Sequence, residues 1–186
     1  MGILGIYASQ ISGHLSNPSF VSIATSSVGS GGASSISFTP IPSTYKHLQV
    51  RGIMRDTRAT NPDSLLLTFN SDSGTNYSYH YLNGDGSITD SVGAASANYI
   101  FLSRFAGANQ TANAFGGIVI DILEYANANN YKTTRSIGGY DANGVGAVKL
   151  DSGNWRNTAA ITSLTLTPAN TSFVQYSSFA LYGIKG

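Results

Sequence analysis

The sequence predicts an all-β chain, an antiparallel β-sandwich of jelly-roll-like type behind a short N-terminal arm, on three observations. Charged residues make up only 10% of the 186 positions, and Glu124 is the single glutamate, whereas a solvated helix usually carries many Glu and Lys side chains. Apolar residues still make up 41%, so a chain of this length can bury a core without staples and does not have the composition of a disordered segment. Short runs with strand character recur along the chain, each closed by Gly, Ser, Asn, Asp or Pro.

Residues 1–18 differ in character from the rest of the chain and are read as an arm. Ile3, Leu4, Ile6, Tyr7 and Ile11 form an apolar set, and Gly13 and Pro18 give a bendable, helix-averse connection. Such a segment buries itself either on its own domain, as an extra edge strand, or on a neighbouring subunit. It lacks the apolar run of about 18 residues that a membrane span needs. Ile6 stands where a myristoylation pattern needs Ser or Thr.

Residues 19–186 are read as one sandwich domain. "FVSIATSSV" (20–28), the turn "GSGGAS" and "SISFTP" (35–40) carry a hairpin signature. "HLQVRGIMR" (47–55) sets Leu48, Val50, Gly52 and Met54 against His47, Gln49, Arg51, Ile53 and Arg55. "SLLLTFN" (64–70), "NYSYHYL" (76–82) and "NYIFLSRF" (98–105) come next. In "FGGIVIDILEYA" (115–126), Ile118, Ile120 and Ile122 alternate with Val119, Asp121 and Leu123, and the β-branched run argues against a helix. The last third supplies "YKTTRSIGGY" (131–140), "GAVKLDSG" (146–153), "AITSLTLTP" (160–168) and "FVQYSSFALYGIKG" (173–186), the last anchored by Phe173, Tyr176, Phe179, Leu181 and Ile184. Residues 56–63, 84–97, 106–114 and 141–145 are expected as loops, where contacts concentrate.

Chemistry-bearing motifs are sparse. The net charge is +1 with Lys and Arg scattered singly, so no basic stripe is expected to track nucleic acid. Zero cysteines exclude disulfides and thiolate metal sites. "NYSYHYLNGDGS" (76–87) reads first as a strand entering a tight turn. Its stripe of Tyr77, Tyr79 and Tyr81 is also compatible with stacking on sugars. His14, His47 and His80 show no zinc-binding spacing. "NSDSGTN" (70–76) resembles half a calcium loop but lacks the closing Glu. No G-x-S-x-G elbow occurs, and Asp121 and Glu124 would point to opposite faces of a strand, so no enzyme, metal or cofactor is expected.

Four stretches, "SIATSSVGSGGASSISFTPIPSTYKHLQVRGIMRDTR" (22–58), "LTFNSDSGTNYSYHYLNGDGS" (67–87), "NTAAITSLTLTP" (157–168) and "FVQYSSFALYGIKG" (173–186), together resemble small β-rich virion structural proteins of tailed bacteriophages. The resemblance implies a noncatalytic component of the particle, such as a capsid decoration or cement protein, and supplies no catalytic residues. The expected partners are other copies of the chain, as a homotrimer, and phage structural proteins such as the major capsid protein, with Ile3, Leu4, Ile6, Tyr7 and Ile11 as the anchor. The alternative is a tail or fibre module that binds host-surface glycan, with Tyr79, Tyr81, Tyr99, Tyr140 and Trp155 as candidate contacts.

Overall fold

A computed structural model describes residues 19–60 and 62–186; the arm, and with it the proposed anchor, lies outside the described residues. Twelve strands and no helix make up the described chain. The larger sheet contains β1 (Phe20–Ser27), β3 (His47–Met54), β5 (Tyr77–Gly84), β6 (Thr89–Ala97), β8 (Gly116–Leu123), β9 (Lys132–Asp141), β10 (Gly146–Trp155) and β12 (Ser178–Ile184). The smaller sheet contains β2 (Ile36–Phe38), β4 (Asp63–Phe69), β7 (Ile100–Phe105) and β11 (Leu164–Pro168).

The orders are β1-β12-β3-β8-β9-β10-β5-β6 and β2-β11-β4-β7, antiparallel throughout. If the hairpins β5–β6 and β9–β10 are set aside, the remaining eight strands cross from one sheet to the other at every connection except β4 to β7, pairing as β1-β12-β3-β8 against β2-β11-β4-β7. That is the jelly-roll topology. The two hairpins lengthen the larger sheet beyond β8 by four strands.

Alternation positions the core. Leu48, Val50 and Met54 of β3 and Ile118, Ile120 and Ile122 of β8 point inward, meeting Leu65, Leu67 and Phe69 of β4 and Leu164 and Leu166 of β11. Phe105, Phe173 and Phe179 close one end, with ring centroids 6.2 and 5.3 Å apart. Gly52 is required there, because a Cβ would stand 2.3 Å from the Phe179 ring.

Three sequence expectations change. β1 and β2 do not form a hairpin: each pairs elsewhere, because the 28–35 connection carries the chain from one sheet to the other. Residues 84–97 are not a loop: the turn is confined to Asp85–Ile88, closed by the Asp85 amide donating to the Ile88 carbonyl, and β6 pairs with β5. Tyr176 does not anchor the last strand; it lies before β12, 70% exposed, with φ of 73°.

Candidate interaction face

Two of the four added strands, β9 and β10, carry polar residues inward and aliphatic residues outward along their middle. Along β10, Val148, Leu150 and Ser152 face solvent, while Lys149, Asp151 and Gly153 face inward. In β9, Thr134 and Ser136 are buried and Ile137 is 56% exposed. β7 of the smaller sheet overlies most of this region, joined at the Trp155 end by Phe69 of β4, and β7 is that sheet's edge strand. An edge strand has backbone groups without a strand partner, and the inward polar residues supply some of what it needs. The Ser103 amide on β7 donates to the Asp151 carboxylate, which also accepts from the Ser136 hydroxyl at 2.8 Å.

Lys149 completes this interior. Its Nζ lies 2.9 Å from Asp151 Oδ1 and 3.8 and 4.4 Å from the ring centroids of Tyr81 and Phe101, with both charged side chains essentially buried. Burial lowers the Lys149 pKa and raises that of Asp151, each opposed by the other's charge. A buried ion pair of this kind fixes geometry more surely than it adds stability.

The consequence lies on the other side of the sheet. Register places Val119, Ile137, Leu150 and Leu82 directly opposite one another across β8, β9, β10 and β5. Ile137, Leu150 and Leu82 are each more than half exposed, as are Ile53 and Val148 beside them. Gly117 and Gly84 lie in the adjacent row and have open space where a side chain would stand. A groove of about 520 Å³ runs between Ile53, Gly117, Val119, Ile137 and Ala180. One row away from the apolar stripe the face becomes polar: Asp121 takes a hydrogen bond from Gln49 (2.8 Å) and pairs with Arg135 (3.0 Å).

At the turn end of the same face, Gly84, Asp85, Phe115, Ile137, Tyr140 and Val148 line a groove of about 640 Å³. Its carboxylates are committed to turns. Asp85 accepts the Ile88 and Ser87 amides, which hold its pKa below the usual range, and Asp141 accepts the Asn143 and Gly144 amides. Among the described residues no three His, Asp or Glu side chains gather into a metal-binding group. His80 is exposed, its ring lying over Gly93 of β6. Asp72 closes the 70–76 turn through the Gly74 amide and the Asn76 side chain.

The candidate glycan contacts do not form one exposed aromatic cluster. Trp155 is 1% exposed, stacked on Tyr77 at 6.3 Å, with its indole N–H donating to Asp72 at 2.7 Å. Tyr140 is buried with Ala106, Ala142 and Ala147. These two are corrections: inward positions on β10 and β9 put them under the sheet. Tyr79 and Tyr81 are half-buried against Phe101 at 5.7 and 6.0 Å, and Tyr99 is half-buried nearby. Reading the sequence for aromatic clusters missed the aliphatic row, whose signal is the alternation "VKLDS" (148–152).

A second buried acidic group lies at the Phe173 end. Asp56 and Asp63 are both inaccessible and share a hydrogen bond; Asp63 also accepts from Asn170 at 2.6 Å and pairs with Arg58 at 3.4 Å. Burial, then the bond to Asp63, pushes the Asp56 pKa up to about 7. Asp56 also accepts the Thr171 hydroxyl and the Arg58 amide, so the pair ties the 56–58 and 169–171 segments together.

Comparison with protein families, curated proteins and solved structures returns no match for this chain.

Proposed function

We propose that this chain is a noncatalytic structural protein of a tailed-bacteriophage virion, a decoration or cement subunit that binds and stabilises the capsid surface. The observation that carries the proposal is the aliphatic row on the outer face of a jelly-roll sheet. Contiguous exposed apolar surface marks a site of protein contact, and a subunit that works by packing against neighbours needs such a face. The sparse charge, the apolar segment before Phe20 and the resemblance of four long stretches to phage virion proteins support the same reading. A trimer suits it, since closed rotational symmetry is the rule for homo-oligomers and capsid surfaces offer threefold positions.

Two measurements test the proposal. Mass spectrometry of purified particles should find the protein at a fixed copy number, and sedimentation of the isolated protein should show a trimer. A protein that is absent from particles and monomeric at high concentration overturns it. Deleting residues 1–18 should leave the circular dichroism of the β domain nearly unchanged while sharply reducing trimer formation and uptake into particles. Unfolding of the truncated protein would instead place the segment in the core.

A further inference from the structure

We infer that the groove between β4, β7 and the 169–170 segment binds a hydroxylated carboxylate of monosaccharide size, a sugar acid of the uronic class. The inference goes beyond the virion role and stands without it. The groove's volume, about 410 Å³, lies within the roughly 300–1,000 Å³ of small-molecule sites. Three observations build the site. Ser64 and Arg104 are register partners across the β4–β7 pair and both line the groove, so their side chains leave the same face of the smaller sheet side by side. Arg104 is half-buried, yet its guanidinium makes no hydrogen bond or ion pair among the described residues. Ser64 is only 7% exposed, and its hydroxyl likewise has no hydrogen-bond partner among them, although buried polar groups are nearly always paired.

The charge balance around the groove selects an anion. Asp56 and Asp63 share a hydrogen bond, which requires one of the two carboxyl groups to hold a proton, so together they carry one negative charge. Arg58 lies 3.4 Å from Asp63 and offsets that charge. Lys149 and Asp151, on the other side of β7, offset each other. Arg104 is left as one uncompensated positive charge, and a guanidinium takes a carboxylate through two parallel N–H bonds. The Ser64 hydroxyl beside it adds a third donor. The rest of the groove suits what carries the carboxylate. Pro62, Phe101 and Ala169 give apolar walls for a sugar ring. The Asn170 amide nitrogen is turned to Asp63 at 2.6 Å, which leaves its side-chain oxygen as an acceptor for a sugar hydroxyl. A mostly apolar wall with a few placed polar groups is how such sites fix orientation.

NMR titrations of the full-length protein with glucuronate, glucose and inorganic phosphate test the inference. Glucuronate should shift the backbone amides of Ser64, Arg104 and Asn170 and bind at least about tenfold more tightly than glucose, the worth of a charge-assisted hydrogen bond. Arg104→Gln should remove that advantage and leave glucose binding unchanged. Arg104→Lys, which keeps the charge and loses the fork, should recover only part of it. Ser64→Ala should weaken glucuronate severalfold. Neither side chain bonds within the described chain, so thermal unfolding of these variants should stay near that of the parent. If Arg104→Gln fails to fold, the amide shifts of the parent and the Ser64→Ala affinity still decide. Equal binding of glucuronate and glucose, or glucuronate binding untouched by both Arg104→Gln and Ser64→Ala, overturns the inference. Phosphate that binds more tightly than glucuronate at the same amides also overturns it, because the groove is then a site for a bare oxyanion.

Discussion

The two halves of the larger sheet use the same backbone pairing and opposite side-chain logic. In β3 and β8, which lie beneath the smaller sheet, aliphatic residues face inward and Gln49, Arg51 and Asp121 face out. In β9 and β10, beneath β7, the inward positions hold Thr134, Ser136, Lys149 and Asp151, and Ile137, Val148 and Leu150 face out. What lies opposite the sheet accounts for the difference. A full sheet presents side chains and rewards apolar area, whereas the rim of an edge strand also presents backbone groups that need hydrogen-bond partners. Burial of a strand residue therefore does not follow from its hydrophobicity alone.

The hardest blow to the polar half should come from Lys149→Ala. It strands Asp151 as an uncompensated buried charge and should cost about 3–5 kcal/mol, read from denaturant unfolding. Replacing both partners with apolar residues of similar volume, Lys149→Met with Asp151→Leu, should recover most of that loss, reduced by whatever the Ser103 and Ser136 contacts contribute. If the single variant behaves like the double, the pair does not organise the extension. In the apolar half, Leu67→Ala should cost about 2–5 kcal/mol by leaving a cavity, with no rescue available from a partner.

A smaller effect separates the charged interiors from each other. The raised pKa of Asp56 means that the folded protein holds a proton the unfolded chain releases near pH 4. Its contribution is therefore fully present below the unfolded value and is lost as pH rises toward about 7. Stability should increase when the pH is lowered from 7 to 5, by an amount on the order of 1 kcal/mol per unit, and Asp56→Asn should flatten that dependence. A slope unchanged by Asp56→Asn would show that other groups set it. The smallest effect is expected on the outer face. A Cβ added at Gly117 meets no atom within 4 Å, so Gly117→Ala should move thermal unfolding little, within about 0.5 kcal/mol.

Much of the jelly roll was legible in the chain. Leu48, Val50 and Met54, with Gly52 as the one gap, and Ile118, Ile120 and Ile122 keep period two, so period, type and inward face can all be read. β6 was not, because "TDSVGAASA" has no aliphatic alternation and owes its strand to pairing with β5. The separation of β1 from β2 depends on non-local partners, β12 and β11, that no short-range turn signal reports. The aromatic candidates were misjudged at Trp155 and Tyr140 because side-chain type does not say which face is covered. The outer aliphatic row needed register: Val119, Ile137, Leu150 and Leu82 are far apart in sequence and meet only through three strand pairings.

The hydrogen bond from Ser103 to Asp151 has a further effect, on how copies of this protein can meet. An exposed sheet edge is a template for another strand, and proteins held at high local density are at risk of joining into open-ended fibres through such edges. Four edges exist here among the described residues, β1, β6, β2 and β7. β2 offers only three residues, β1 and the β5–β6 pair are interrupted by register shifts, and β7 is plugged from the side by a carboxylate. Runaway strand addition is thereby discouraged at each edge, and association is left to the flat apolar face, where a contact can be finite.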